Sequence, residues 1–313
     1  MTAASLLPTP LSKGDRVGIV TLYQPEHRPP AFSPASLVFR SCGFEPVLSP
    51  PFQTLHGHRS VNEGEILDNF HAFIVDPSIT AVVCEGGNDR ANRLLRGVDF
   101  PLIAAHPKPI VGLNAPSLLL NAITARTGLP TFHGPDVTSE CQSPDLPGTT
   151  IDQFIRLVSG HESVAHIDAP LFWGRPGTAE GHLVAGCLSS LRCLIGTPFA
   201  PRWQGALVAW QDAFTLVDVL DQTLTHFGDA GILDQIAGLV VGELQGCAPK
   251  QASTIRDTIM EVCDEYAFPV AFGLPSASPT QKYTLAIGAQ VSISPAQGIQ
   301  VLSPWSTSTE NTR

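Results

Sequence analysis

The chain has 313 residues and a formal net charge of −10, with 43% hydrophobic and 15% charged residues. That length leaves room for two domains or one large one, and the acidic balance argues against a nucleic-acid partner, since no basic stripe is available to meet phosphates. No apolar run is long enough to span a bilayer, and the N-terminus MTAASLLPTPLSKGD lacks the charged and apolar blocks of a secretory signal, so a cytoplasmic location is expected.

RVGIVTLY (16–23), β-branched and apolar behind the turn-forming KGD, predicts a first strand. SPASLVFRSCGF (33–44) has helical spacing and closes at Gly43, and EPVLSP follows as a second strand. EGEILDNFHAFIVD (63–76) places Ile66, Leu67, Phe70, Phe73 and Ile74 on one face of a helix. SITAVVCEGG (78–87) is a buried strand ending in a Gly-Gly turn, PKPIVGLN the next strand, and SLLLNAITART the helix after it. Strands alternating with helices to about residue 140 predict a parallel sheet with crossover helices. Functional groups of such sheets collect at the carboxyl ends of the strands, here TLYQPEH, CEGGNDR, GLNAPS and FHGPD.

This first unit is assigned to 1–150, a connector carrying the helix IDQFIRLVSG to 151–178, a second unit to 179–303 and a polar tail to 304–313. The second unit opens at AEGHLVAGCLSSLRCLIGTPF and runs through the strand GALVAWQD, the helix FTLVDVLDQTLTHFG, the strand IAGLVVGEL and the helix ASTIRDTIMEVCDEYA. A terminal strand pair, PVAFGLP and TLAIGAQVSISP, is expected to finish it. Seven scattered Cys without a CxxC pair read as reduced thiols, and no metal cluster, P-loop or dinucleotide fingerprint appears, so no cofactor is expected.

VGLNAPSLLL (111–120) has the layout of a nucleophile elbow: apolar strand, glycine, sharp turn, helix. Yet the residue at the tip is Asn114. The order and spacing of GDRVGIV, DPSITAVVCEGG, KPIVGLN, TFHGP, GHLVAGCLSSLRCLIGTPF, AGLVVGE and FPVAFGLP with TLAIGAQV resemble the LD-carboxypeptidase family of serine peptidases, over about residues 14 to 302. The resemblance implies an α/β architecture: an N-terminal flavodoxin-like parallel sheet with crossover helices, a C-terminal β-rich α/β domain, a Ser-Glu-His triad spanning the two, and a homodimer.

Carried over position by position, the triad is gone. The family's nucleophile, in a Gly-aromatic-Ser-Asp stretch, falls on Gly112-Leu113-Asn114-Ala115, so Asn114 replaces Ser and Ala115 replaces Asp. The triad Glu falls on Gln211 in ALVAWQD, and the triad His on Ser278 in GLPSAS. The family's Arg-Gly-Gly-Tyr-Gly turn becomes Glu85-Gly86-Gly87-Asn88-Asp89; by resemblance, Gly86 and Gly87 would keep a backbone oxyanion hole, which needs no particular side chain.

Further groups cluster around that centre. Ser117, in the first helical turn, is a cap, a packing residue or a stand-in nucleophile, and Cys84 beside the Gly-Gly turn is an inert hydrophobe or a thiol whose pKa backbone amides would lower. Asp212 follows the vacated Glu position, and His133 ends another strand; both are candidates to move protons, set against a surface carboxylate and a structural imidazole. Glu85, Asp89 and Arg90 form either a solvated ion pair or part of the cleft wall, with Tyr23 and His27 above and Glu243 at a further strand end. Lys282 and Tyr283 are expected exposed, with ligand contact as the alternative.

A carboxamide has no ionisable proton and cannot form an acyl-enzyme. Loss of a whole triad costs on the order of 10⁶ in turnover, roughly 8 kcal/mol of barrier. Asn114 and Gln211 instead make a neutral hydrogen-bonding platform. The expectation is therefore a small-molecule ligand in the inter-domain cleft and a cofactor-free isomerase, cyclase or lyase. The alternatives are a dead pseudo-peptidase that binds a peptide or acyl-amino acid, and residual hydrolysis through Cys84 or Ser117.

Overall fold

The computed structural model describes residues 6–22, 33–50, 63–86, 91–112, 114–134, 148–159, 166–167, 169–211, 216–242, 249–275 and 283–302. In chain order the first half holds β1 (Arg16–Thr21), α1 (Pro34–Ser41), β2 (Glu45–Leu48), α2 (Glu63–Val75), β3 (Ala81–Glu85), a 3₁₀ segment (Ala91–Gly97), α3 (Phe100–Ala105), β4 (Ile110–Gly112), α4 (Pro116–Thr127), β5 (Thr131–His133) and α5 (Gly148–Val158). The second half holds β6 (His166–Ile167), β7 (Phe172–Arg175), β8 (Ala179–Cys187), α6 (Leu188–Arg192), β9 (Ala206–Gln211), α7 (Val217–Asp229), β10 (Gly238–Gly242), α8 (Pro249–Val262), β11 (Val270–Leu274), β12 (Leu285–Ile287), β13 (Gln290–Ser294) and β14 (Gly298–Val301).

Two sheets result. The first runs β12-β5-β4-β3-β1-β2, parallel except for β12, which pairs antiparallel with β5. The second runs β6-β14-β13-β8-β9-β10-β11-β7, with a parallel centre from β8 to β11 and antiparallel flanks. Every residue of β3, β9 and β10 is buried, the signature of strands covered on both faces. The alternation of strands and helices in the first half and the α/β character of the second follow the expectation.

Local sequence explains the helices that matter. Ser33 caps α1 by accepting the Ser36 N–H at 3.1 Å, with a proline in the first turn. Ile66, Phe70 and Ile74, four residues apart, form the buried stripe of α2. Helix α4 is different: residues 116 to 123 are all buried, so its first two turns have no solvent face and lie within the molecule, while its last turn reaches the surface at Ala125 and Arg126. It contacts β4 and β5 of the first sheet and β8 of the second, and stops at Gly128 in the left-handed conformation, φ 75°. One core cluster joins Val82 and Ile110 of the first sheet, Leu118 to Leu120 of α4 and Val184, Val208 and Val240 of the second. A second cluster, where Phe39 and Phe154 meet edge-on at 5.5 Å, covers the far face of the first sheet.

Two expectations need correction. VAFGL and TLAI do not pair: β11 lies in the second sheet beside β10, whereas β12 closes the edge of the first beside β5. The apolar runs show two strands but carry no information about which sheet each joins. Residues 151–178, read as a connector with one helix, also hold β6 and β7, which are too short for alternation to mark them.

Candidate functional site

The elbow is built. β4 ends at Gly112, where a side chain would stand 2.7 Å from Pro116 Cβ, so only glycine lets the chain double back against the start of α4. Asn114 has φ 59°, the only positive φ at a non-glycine among the described residues. The left-handed region costs most L-residues energy, and Asn tolerates it because its short polar side chain bonds locally. The Asn114 carbonyl accepts the Ser117 N–H at 2.8 Å, which closes the turn, and the residue itself is exposed.

The second sheet meets this turn with the ends of β8 and β9. Cys187 and Gln211 are partners across that pairing and share one face of the sheet. Gln211 Nε2 donates to Asn114 Oδ1 at 3.4 Å, and the Cys187 thiol donates to the same oxygen at 3.7 Å. Gln211 is 4% exposed, and its Oε1 has no partner. Beneath the turn, Ser117 is fully buried and its Oγ accepts the Cys187 N–H at 3.2 Å. Asn121 Nδ2 donates to Ser117 O at 2.7 Å and to Ala185 O at 2.8 Å, tying α4 to β8.

The two leading positions from the sequence, Asn114 and Gln211, thus come together. Ser278, Asp212, Gly87, Asn88, Asp89, Arg90, Tyr23, His27, Glu243 and Lys282 lie outside the described residues. Ala115 follows Asn114 and is half-buried; Gly86 directly follows β3, with φ 71°. His133 ends β5 opposite Gly112. It is 1% exposed, neither ring nitrogen has a partner, and burial pushes its pKa down to about 4. It is a neutral imidazole, and not the hydrogen-bonded structural histidine of the bland alternative.

Other expectations change. Glu85 is not on a solvated turn: it is 2% exposed, and its Oε1 accepts the Ala35 N–H at 3.0 Å, satisfying the first turn of α1. The Cys84 thiol is not activated; burial pushes its pKa up to about 12, because no charge compensates desolvation of the thiolate. Ser117 is a packing and hydrogen-bonding residue, closed to an incoming carbonyl. Tyr283 is buried, with its N–H on Pro275 O at 2.8 Å, and is not exposed as expected. Two residues escaped the sequence reading: Cys187, whose only signal was its place at the carboxyl end of a strand, and Asn121, an amide between the apolar residues Leu118 to Leu120 and Ala122 to Ile123 of α4. Among the described residues no group of His, Cys, Asp and Glu could hold a metal ion, and no helix is long and apolar enough to cross a membrane.

Family models match both halves: the LD-carboxypeptidase N-terminal domain over residues 17–134 and the LD-carboxypeptidase C-terminal domain over residues 180–293. The chain belongs to the LD-carboxypeptidase family. Among LD-carboxypeptidase relatives, the murein tetrapeptide carboxypeptidase of Pseudomonas aeruginosa is 30% identical over 228 residues, covering 69% of this chain and 72% of that protein. The microcin C7 self-immunity protein MccF of Escherichia coli is 25% identical over 326 residues, covering 92% and 93%. A structure of MccF in complex with glutamyl sulfamoyl guanosine superposes with a TM-score of 0.81 at 22% identity, covering 96% of this chain and all of that one, a likeness of fold.

Proposed function

We propose that this chain is a non-hydrolytic member of the LD-carboxypeptidase family that binds a small organic molecule between the two sheets and transforms it without a cofactor, as an isomerase, cyclase or lyase. One observation carries the reading: an Asn occupies the raised, left-handed tip of the elbow, and its carboxamide is met by Gln211. The scaffold that presents a side chain to a ligand is retained, while the presented group cannot be acylated. Catalysis would rest on orientation in the cleft, on hydrogen bonds from the two amides and on proton transfer by Asp212 or the neutral imidazole of His133. A homodimer belongs to the same reading, by kinship with the family.

The test is a turnover assay with an L,D-linked murein tetrapeptide beside a thermal-shift screen of small carbonyl compounds. The expected result is no cleavage above the uncatalysed rate, with compounds that raise Tm in the parent but not in Asn114→Gly or Gln211→Leu. Tetrapeptide cleavage that Asn114→Gly abolishes would overturn the proposal. The complex of MccF with glutamyl sulfamoyl guanosine favours a second reading, a pseudo-peptidase that holds an aminoacyl conjugate intact. Tight binding of such a conjugate, recovered unchanged, would select it.

A further inference from the structure

We infer that the chamber between helix α5 and the second sheet is a further binding site, fitted to a slim uncharged aliphatic molecule with one hydroxyl or carbonyl oxygen. It is separate from the elbow and independent of the reaction proposed there.

Strand register builds the floor. Leu183 pairs with Leu207, and Ala209 with Val240, so by the alternation of strand side chains these four stand on one face of the second sheet. Ile293 of β13 extends the same face. Helix α5 supplies the opposite wall through Gln153 and Leu157, and Thr284, just before β12, closes a third side. The chamber lies on a seam. Its floor belongs to the core cluster that joins the two sheets, whereas Leu157 belongs to the cluster on the far face of the first sheet. Gln211 is two residues beyond Ala209, about 7 Å further along the strand, and is not a wall of the chamber. The empty space comes to about 470 Å³ with the mouth included, of which about 20 Å³ admits the centre of a water molecule. That exceeds the roughly 10–15 Å³ one water needs, in a room narrow enough to exclude anything broad.

The walls define the occupant. Among the described residues that line the chamber there is no Asp, Glu, Lys, Arg or His, so a charged group would lose its hydration without gaining a counter-ion. Gln153 spends both ends of its amide on Thr284: Nε2 donates to Thr284 O at 3.1 Å, and Oε1 accepts the Thr284 N–H at 2.9 Å. That bidentate clasp holds α5 over the floor. The Thr284 hydroxyl is left over: the residue is 1% exposed, and its Oγ1 has no partner. A buried water settles where about three polar partners meet it, which one hydroxyl among aliphatic walls does not provide. An aliphatic body with a single oxygen covers the walls and satisfies that hydroxyl together.

The test is methyl-observed NMR of the full chain titrated with 1-propanol and, separately, with propylammonium. With 1-propanol the methyl signals of Leu207, Val240 and Ile293 are expected to shift and saturate in the millimolar range, and propylammonium should bind at least tenfold more weakly. Thr284→Val, which keeps the shape and removes the hydroxyl, should weaken 1-propanol about threefold to tenfold, the effect of one neutral hydrogen bond. Ala209→Val, which places two methyl groups in the floor, should abolish the saturable shifts. Circular dichroism and a melting curve show that each variant is folded. No saturable shift in the parent, propylammonium binding as tightly as 1-propanol, undiminished binding in Thr284→Val, or binding that survives Ala209→Val overturns the assignment.

Discussion

Asn114 sits where most side chains are strained, and that makes its conformation measurable. Asn114→Gly should leave the unfolding free energy within about 1 kcal/mol of the parent, whereas Asn114→Val should lower it by roughly 1–2 kcal/mol, read by urea denaturation. Gln211 makes the opposite case. Replacing an amide whose buried oxygen has no partner with Leu should raise stability by about 1 kcal/mol while ligand binding is lost, the usual opposition between a site and its scaffold. His133 supplies a pH signature. Its pKa falls from an ordinary 6.5 to about 4 on burial, so the native state refuses a proton that the unfolded chain accepts. Its contribution to stability is complete above pH 6.5 and is lost as pH falls toward 4, a swing of order 3 kcal/mol. Chemical denaturation at stepped pH should show a shallower loss across that window in His133→Leu. At this scale the sequence revealed what the sharp turn demanded, because a glycine, a turn and an apolar helix mark an elbow whatever stands on it. It did not reveal the Cys187 contact, which depends on two strands from another sheet ending beside that turn.

Elements meet here through small residues. A side chain at Gly186 would lie 2.7 Å from both Cβ and Oγ of Ser117, so the closeness of α4 to β8 depends on glycine at that point. Gly186→Ala should cost about 1–3 kcal/mol and push the elbow away from Gln211. Adding Ser117→Gly should recover part of that loss, giving a double variant less destabilised than the sum of the two single ones, as a thermodynamic cycle would show. The existence of α4 was legible from its apolar stretch; the burial of its first two turns between two sheets was implied by the same feature, since a stretch apolar nearly all round has no face for water. The segments β6 and β7 were illegible because two and four residues are too few for a period to show.

At the scale of the whole molecule, a single core cluster runs through both sheets, and β12 belongs by sequence to the late chain but by pairing to the first sheet. Unfolding should therefore be one event. Among the described residues the Trp, at 173, 203 and 210, all lie in the second half of the chain, so their fluorescence follows the second sheet while far-ultraviolet circular dichroism follows everything. The two urea transitions should coincide; a separation would show that the halves are independent. The parallel order of the first sheet could be anticipated from alternating strands and helices, but the exchange of β12 could not, because three residues of TLAI suit either partner equally well.

The exchange has a consequence for anyone dividing this chain. Among the described residues the outer edge of β5 is paired by a strand supplied about 150 positions later, so a fragment comprising the first half alone would lose that partner and expose the amides and carbonyls of the edge. Such a piece should self-associate through that margin, and a synthetic peptide spanning 283–289 should dissolve the aggregates by taking the vacant place.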